Sequence, residues 1–164
     1  MSRSGIGWDS HRLAAGRRLV LGGVPLEHEG GLGLVGHSDA DVLTHAVIDA
    51  LLGAASLGDI GQHFPDTDAA YAGADSLGLL REAAARVAAA GWRPVHVDVT
   101  VVLERPKLAG RRDAIRANLA EALGLAAQDV NVKATTGEGI GFVGREEGVA
   151  ALAVATVEPA HEPV

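Results

Sequence analysis

Asp9-Ser10-His11 places two metal-ligating side chains two residues apart. On an extended backbone such residues point to the same side, so a carboxylate and an imidazole converge. Alone, the tripeptide reads equally well as the polar end of a strand. A second cluster changes the balance. Ser38, Asp41, His45 and Asp49 recur at spacings of three and four, one face of a helix. Solvated helix faces are usually built from Lys, Glu and Arg, and this stretch has none between Asp39 and Gly58. Short polar groups cannot snorkel out of a crevice, so Asp41, His45 and Asp49 suit a confined place. Asp9, His11 and one further imidazole make the donor set of a catalytic zinc, which keeps three protein bonds and an open position. His45 and His37 compete for the third place, and spacing does not choose between them.

Thr135-Thr136-Gly137-Glu138-Gly139 follows a β-branched run, Val130 to Ala134. Hydroxyls and glycine-permitted amides there suit a phosphate, and a carboxylate beside them suits Mg²⁺. The plain alternative is a hairpin turn. Arg105-Pro106-Lys107 offers cations to an anion, or is simply a basic loop. His28 and His63 have weaker claims. His96 opens a strand and reads as structural, and His161 belongs to a frayed tail.

These groups need elements to carry them. Ile6 to Asp9 and Arg18 to Pro25 read as short strands around a turn at Ala14-Ala15-Gly16. Glycines at 30, 31, 33 and 36 predict a flexible loop, and a helix follows from Asp39 to Ala54. Ser56 to Gly73 has no period and reads as a loop. Asp75-Ser76 caps a helix over Leu77 to Ala90 that Gly91 ends. Val95 to Leu103 predicts a strand, Arg111 to Leu123 a helix, and Val130 to Thr135 another strand. Gly148 to Val157 is almost continuously apolar, as expected of a strand buried on both faces. The order predicts a two-layer α/β sandwich: a mixed four-stranded sheet with helices on one face. The bare face then needs cover, and self-association through the sheets supplies it.

Composition narrows the function. The chain has 164 residues, with 14 Lys+Arg against 21 Asp+Glu, a net charge of −7. That opposes binding to a phosphate backbone, which draws on basic patches. Cysteine is absent, so disulfides, thiolate metal sites and a thiol nucleophile are excluded. No apolar run approaches the ~18 residues of a membrane helix. Met1 to Gly5 has no signal-like core, so a cytoplasmic protein is expected. Neither repeats nor linkers divide the chain, which predicts one domain over 1–158 and a short tail over 159–164.

Longer motifs add to this. His37-Ser38-Asp39-Ala40-Asp41-Val42-Leu43-Thr44-His45-Ala46, Asp49-Ala50-Leu51-Leu52-Gly53-Ala54-Ala55 and Leu57-Gly58-Asp59-Ile60-Gly61-Gln62-His63-Phe64-Pro65-Asp66-Thr67-Asp68 occur in that order. With Val130-Asn131-Val132-Lys133-Ala134-Thr135-Thr136 and Gly141-Phe142-Val143-Gly144-Arg145, they resemble the 2-C-methyl-D-erythritol 2,4-cyclodiphosphate synthase family from about Gly5 to Val157. The resemblance implies a lyase of the non-mevalonate isoprenoid pathway. It cyclises 4-diphosphocytidyl-2-C-methyl-D-erythritol 2-phosphate, with CMP as the leaving group. It also implies a homotrimer with active sites between subunits. Asp9, His11 and His45 fall on zinc ligands, and Glu138 on a ligand of Mg²⁺ or Mn²⁺. His37 and Thr136, the latter from a neighbouring subunit, fall on groups that stabilise the transition state.

By the same resemblance, Asp9, Ser10, His11, His37 and Ser38 face the substrate. Asp59, Ile60, Gly61, Phe64, Pro65, Asp66, Thr67 and Asp68 match the segments that hold its methylerythritol part. Leu103, Glu104, Arg105, Pro106, Lys107, Leu108 and Ala109 match the cytidine pocket. Thr135, Thr136, Gly137, Glu138, Phe142 and Arg145 match further contacts. Four positions depart from the family pattern: Ser10 for a usual valine, Ala72 for a frequent lysine, Gly137 for threonine and Glu146 for glycine. Gly137 is expected to loosen its loop. The rival readings are a zinc phosphohydrolase, which would release linear phosphates, and a trimeric binding module without turnover.

Overall fold

A computed structural model describes residues 1–160; His161 and the rest of segment 161–164 lie outside the described residues. A long strand β1 (Arg3–Ala15) runs antiparallel to the C-terminal strand β7 (Gly148–Pro159), with Asp9 opposite Ala151 and His11 opposite Val149. Strand β5 (Trp92–Val102) pairs antiparallel with the other edge of β7 and parallel with β6 (Val130–Thr135). Pro159 still belongs to β7, so the strand passes the expected boundary at 158.

The sheet has five strands rather than four. The extra one, β4 (Leu32–Leu34), adds to β1 within the glycine-rich stretch expected to be a flexible loop. Its glycine serves proximity. A Cβ at Gly33 would stand 1.9 Å from the Arg17 carbonyl oxygen, so the backbones there exclude any side chain. The single strand expected over Arg18 to Pro25 is instead a separate hairpin of β2 (Leu19–Leu21) and β3 (Val24–Leu26). Gly22 and Gly23 turn it with φ of 57° and 72°, the paired positive angles of a tight two-residue turn.

Three helices cover one face: α1 (Val42–Ala54), α3 (Ser76–Ala89) and α4 (Arg112–Leu123). Short turns α2 (Ile60–His63) and α5 (Gly141–Gly144) lie between longer elements. Helix α1 starts at Val42, three residues later than expected, because Ala40 takes φ 57° and breaks the helical path. Asp41 is the cap. It accepts from Thr44 N at 3.0 Å and Thr44 Oγ1 at 2.8 Å, and from Gly22 N and Gly23 N across the hairpin at 2.9 and 2.8 Å. Asp41 therefore belongs to the scaffold rather than to a site-facing stripe. Burial raises its carboxyl pKa, and the amides of Thr44, Gly23 and Gly22 act in the opposite direction.

Helix α1 rests directly on β1. A Cβ at Gly5 would meet the Ala50 carbonyl oxygen at 2.3 Å, and one at Gly7 the Ala46 carbonyl oxygen at 1.9 Å. Two missing side chains let the helix descend onto the strand, which brings His45 beside Asp9. Strand β7 is not buried on both faces. Leu152 and Val154 are exposed, opposite Trp8 and Ile6, so the four form an apolar patch on the helix-free face. No helix among the described residues is long and apolar enough to cross a membrane.

Candidate active site

Asp9 and His11 project from the same face of β1, and His45 comes down from the first turns of α1 to meet them. His11 Nε2 lies 2.9 Å from Asp9 Oδ2 and 3.3 Å from His45 Nδ1, which is itself 3.1 Å from Asp9 Oδ2. Each ring has its far nitrogen occupied. His11 Nδ1 donates to the Val35 carbonyl at 2.8 Å, which leaves the lone pair on Nε2. His45 Nε2 meets Ser76 Oγ at 2.8 Å and Ser38 Oγ at 3.1 Å, which leaves Nδ1 turned inward.

Two imidazole lone pairs and a carboxylate oxygen so crowded repel one another unless a proton or a metal ion lies between them. Donors on one tetrahedral zinc stand about 3.3 Å apart, from bonds of about 2.0–2.1 Å. The observed spacings fit a metal ion. Burial raises the Asp9 carboxyl, but the His11 and His45 imidazoles beside it outweigh burial and hold it at about 2, ionised at neutral pH. Burial opposes the His11 imidazolium, yet Asp9 keeps its pKa above the ordinary value. Room for the His11 ring comes from Gly36, where a Cβ would lie 3.0 Å from Cε1.

Over this cluster opens a cavity of about 330 Å³. Its lining includes Ser38 and Asp49, with exposed His37 at the rim; its far wall is Ile60, Gly61, Phe64, Pro65, Asp66 and Tyr71, with Leu79 behind. The wall comes from the stretch expected to be a loop without elements, and it is ordered by side chains that bond to the backbone. Asp49 accepts from Ile60 N at 2.8 Å, Asp59 caps α2 through Gln62 N at 3.0 Å, and Asp68 caps a 3₁₀ turn at Ala69–Tyr71 through Ala70 N at 2.9 Å. Arg86 reaches across from α3, its guanidinium 4.8 Å from the Phe64 ring centre and its Nη1 2.8 Å from His63 Nδ1. His63 is thus a brace rather than a ligand. Asp59, Thr67 and Asp68 hold or flank the wall without lining the cavity.

The remaining candidates gather elsewhere, at the C-terminal ends of the parallel pair β5 and β6. Leu103 N donates to Thr135 O at 2.9 Å, and Glu104 Oε1 accepts from Gly137 N at 2.5 Å. Thr136 Oγ1 accepts from Glu138 N at 3.1 Å, and both residues are exposed. Gly137 O also accepts from Ile140 N at 2.9 Å, and the site leaves little room for a side chain: a Cβ there would meet Gly144 N at 2.9 Å and Ile140 O at 3.0 Å. Arg105 is no free cation. Its guanidinium takes both Glu146 oxygens, at 2.6 and 3.2 Å, and reaches Glu29 at 3.5 Å. Buried His28 accepts from Gly30 N at 2.9 Å and meets Glu146 Oε1 at 3.2 Å. Arg145 pairs with Glu147 at 2.9 Å, while Lys107 stands exposed. None of these residues lines the cavity over Asp9, His11 and His45.

The profile of the YgbB family matches residues 2–158. The chain belongs to the YgbB family. It is 61% identical to the 2-C-methyl-D-erythritol 2,4-cyclodiphosphate synthase of Salinibacter ruber over 158 residues, 96% of this chain and 99% of that protein. It is also 62% identical, over 93% of its length, to part of the bifunctional enzyme IspD/IspF of Anaeromyxobacter dehalogenans. The chain spans about two-fifths of that longer relative, 39% of its length. Among solved structures, a CDP-bound 2C-methyl-D-erythritol-2,4-cyclodiphosphate synthase superposes with a TM-score of 0.86 at 38% identity, over 95% of this chain and 100% of that one.

Within the YgbB family, the departures acquire physical meaning. Ser10 alternates to the opposite side of β1 from Asp9 and His11 and leaves their convergence intact. Glu146 holds φ 56°, the left-handed conformation that suits glycine, and its carboxylate cross-links Arg105 and His28. Ala72 ends the 3₁₀ turn in an exposed position. Sequence reasoning missed the support behind His45: Ser76 was legible only as part of a helix cap, and Asp39 only as the start of a helix.

Proposed function

We propose that the chain converts 4-diphosphocytidyl-2-C-methyl-D-erythritol 2-phosphate to 2-C-methyl-D-erythritol 2,4-cyclodiphosphate, as a cytoplasmic CMP-releasing phosphorus–oxygen lyase of isoprenoid-precursor synthesis. The observation that carries this reading is the convergence of one carboxylate oxygen and two imidazole lone pairs on the floor of a 330 Å³ cavity. Asp9, His11 and His45 would hold Zn²⁺, and Glu138 Mg²⁺ or Mn²⁺. Such cations neutralise phosphate oxygens and leave the bridged phosphorus more electrophilic.

The nucleophile is the substrate's own 2-phosphate oxygen, so no general base is required. What the protein must do is fold a flexible polyanion into an in-line pose. Ser38, the Asp59–Gly61 turn and the Phe64–Asp68 wall would hold the methylerythritol part. Leu103 to Ala109, with Lys107 as its exposed cation, would take the cytidine and its phosphate, and Phe142 and Arg145 would add contacts. His37, at the cavity rim, would stabilise charge on the reacting phosphoryl group. Thr136 would do so from a neighbouring subunit.

That last role requires an assembly. A homotrimer packed through the sheets would cover Ile6, Trp8, Leu152 and Val154, a patch too apolar to leave in water. Trp8→Asp is expected to shift the protein to monomer in analytical ultracentrifugation and to abolish turnover while the metal centre still loads. A trimeric variant would remove the sheet face from the interface.

Purified protein incubated with the cytidine substrate, Mg²⁺ and Zn²⁺, with products read by ³¹P NMR, tests the reaction. CMP and a cyclic diphosphate in equal amounts are expected. Linear phosphates would make the chain a hydrolase, and no turnover by a folded, metal-loaded protein would make it a binding module.

A further inference from the structure

Behind the metal-facing side of His45 lies a second arrangement, buried and fully connected. Ser76 is completely buried at the first turn of α3, and its Oγ lies 2.8 Å from His45 Nε2. The Ser76 hydroxyl hydrogen goes to Asp39 Oδ1, so Oγ presents its lone pairs to the imidazole N–H. Asp39 Oδ2 accepts from Ser76 N, the first amide of the same helix, at 2.9 Å, while Asp75 is that helix's cap. The neighbouring Ser38 hydroxyl also reaches His45 Nε2, but at 3.1 Å.

Asp39 is in turn held by its surroundings. Its own N–H donates to the Ala74 carbonyl at 3.2 Å, and Gly73 N donates to the His37 carbonyl at 2.9 Å. The segment His37–Asp39 is thereby clasped to the end of the loop that carries the cavity wall from Ile60 to Tyr71. The left-handed turn at Ala40, φ 57°, separates Asp39 from Asp41, so that consecutive carboxylates serve two different helices. Such strain in a non-glycine residue persists only where its surroundings enforce it.

We propose that Ser76 and Asp39 are the positioning pair of the metal centre: Ser76 Oγ holds His45 by Nε2 with Nδ1 turned toward Asp9 and His11, and Asp39 orients the serine hydroxyl. This rests on the metal-binding reading above. It also ties the metal centre to the cavity wall, because Ser76 immediately follows the loop and cannot move without releasing His45. Partners behind a ligating histidine set its tautomer and orientation, and their loss typically costs 10- to 100-fold in metal affinity.

The test is the Zn²⁺ dissociation constant of metal-free protein, read by competition with a fluorescent chelator, for wild type, Ser76→Ala and Asp39→Ala. Weakening by about 10- to 100-fold is expected in Ser76→Ala, with a smaller loss in Asp39→Ala. Hydrogen exchange at residues 73–77 should slow on zinc addition in wild type and not in Ser76→Ala. A folded Ser76→Ala protein that binds zinc within twofold of wild type would overturn the pairing. Wild type that does not bind zinc at all would overturn the metal reading itself. Histidine ¹⁵N shifts of metal-free wild type, at a pH where the rings are neutral, need no variant to fold. His45 as the Nε2–H tautomer is expected, and the Nδ1–H tautomer would refute the proposal.

Discussion

His45→Ala is expected to lower turnover at least ~10³-fold, the loss of about 4 kcal/mol of transition-state stabilisation when a charge-neutralising metal is removed. The substitution deletes one of three donors that lie within 4.8 Å of one another, and among the described residues no other imidazole is placed to replace it; His37, the competitor by spacing, sits on the exposed rim. Zinc content measured alongside turnover should fall together with it. A variant retaining a tenth of wild-type turnover would show that the centre is not required. Chelation of the wild-type protein should reproduce the loss without dissociating the proposed trimer, since Asp9, His11 and His45 all lie on one chain. Dissociation on chelation would give the metal a structural role instead.

Gly7→Ala should be among the most damaging small substitutions in the fold. The added Cβ would stand 1.9 Å from the Ala46 carbonyl oxygen and 2.7 Å from Ala50 N, both backbone atoms of a buried helix. Neither can rotate away, so β1 and α1 must separate. The expected cost is about 3 kcal/mol, at the upper end for overpacking. That corresponds to a fall in melting temperature of roughly 6–12 °C for a domain of this size. Separation would also lift His45 away from Asp9, so zinc affinity should fall in the same variant. Gly53→Ala is the control. Its Cβ would find nothing nearer than 3.9 Å, and exchanging a helical glycine for alanine should stabilise by up to about 1 kcal/mol. Equal melting temperatures for Gly7→Ala and wild type would mean that the helix does not rest on the strand as described.

Much of the site is local, and local patterns are what a sequence displays. Asp9 and His11 share a face because strand side chains alternate, so their convergence was legible from two positions. The absence of long charged side chains from Asp39 to Gly58 pointed to a confined helix, and α1 leaves only Asp49 and Gly53 outside full burial. The long motifs from His37 to Asp68 identified the family that the profile also matches. Other readings failed for equally physical reasons. Asp41 lies one helical turn before His45, but a carboxylate at that position caps its own helix before it can face a ligand. The glycines near 33 look like flexibility in one dimension, and in three they mark where β4 and Arg17 share space.

The chain's sequence, then, determined the residue types that could bind a metal, the two that must converge on β1, the helices around them and the family. Spacing left His37 and His45 open and the family resemblance pointed to His45; tertiary structure supplies the reason, which is how closely α1 lies on β1. It decided that Ser76 and Asp39, distant in sequence from Asp9, stand behind His45. It also decided that Arg105 is already neutralised by Glu146, across 41 positions of chain. Periodicity reports which way a side chain points from its own element. Only the packing of one element on another reports what it points at.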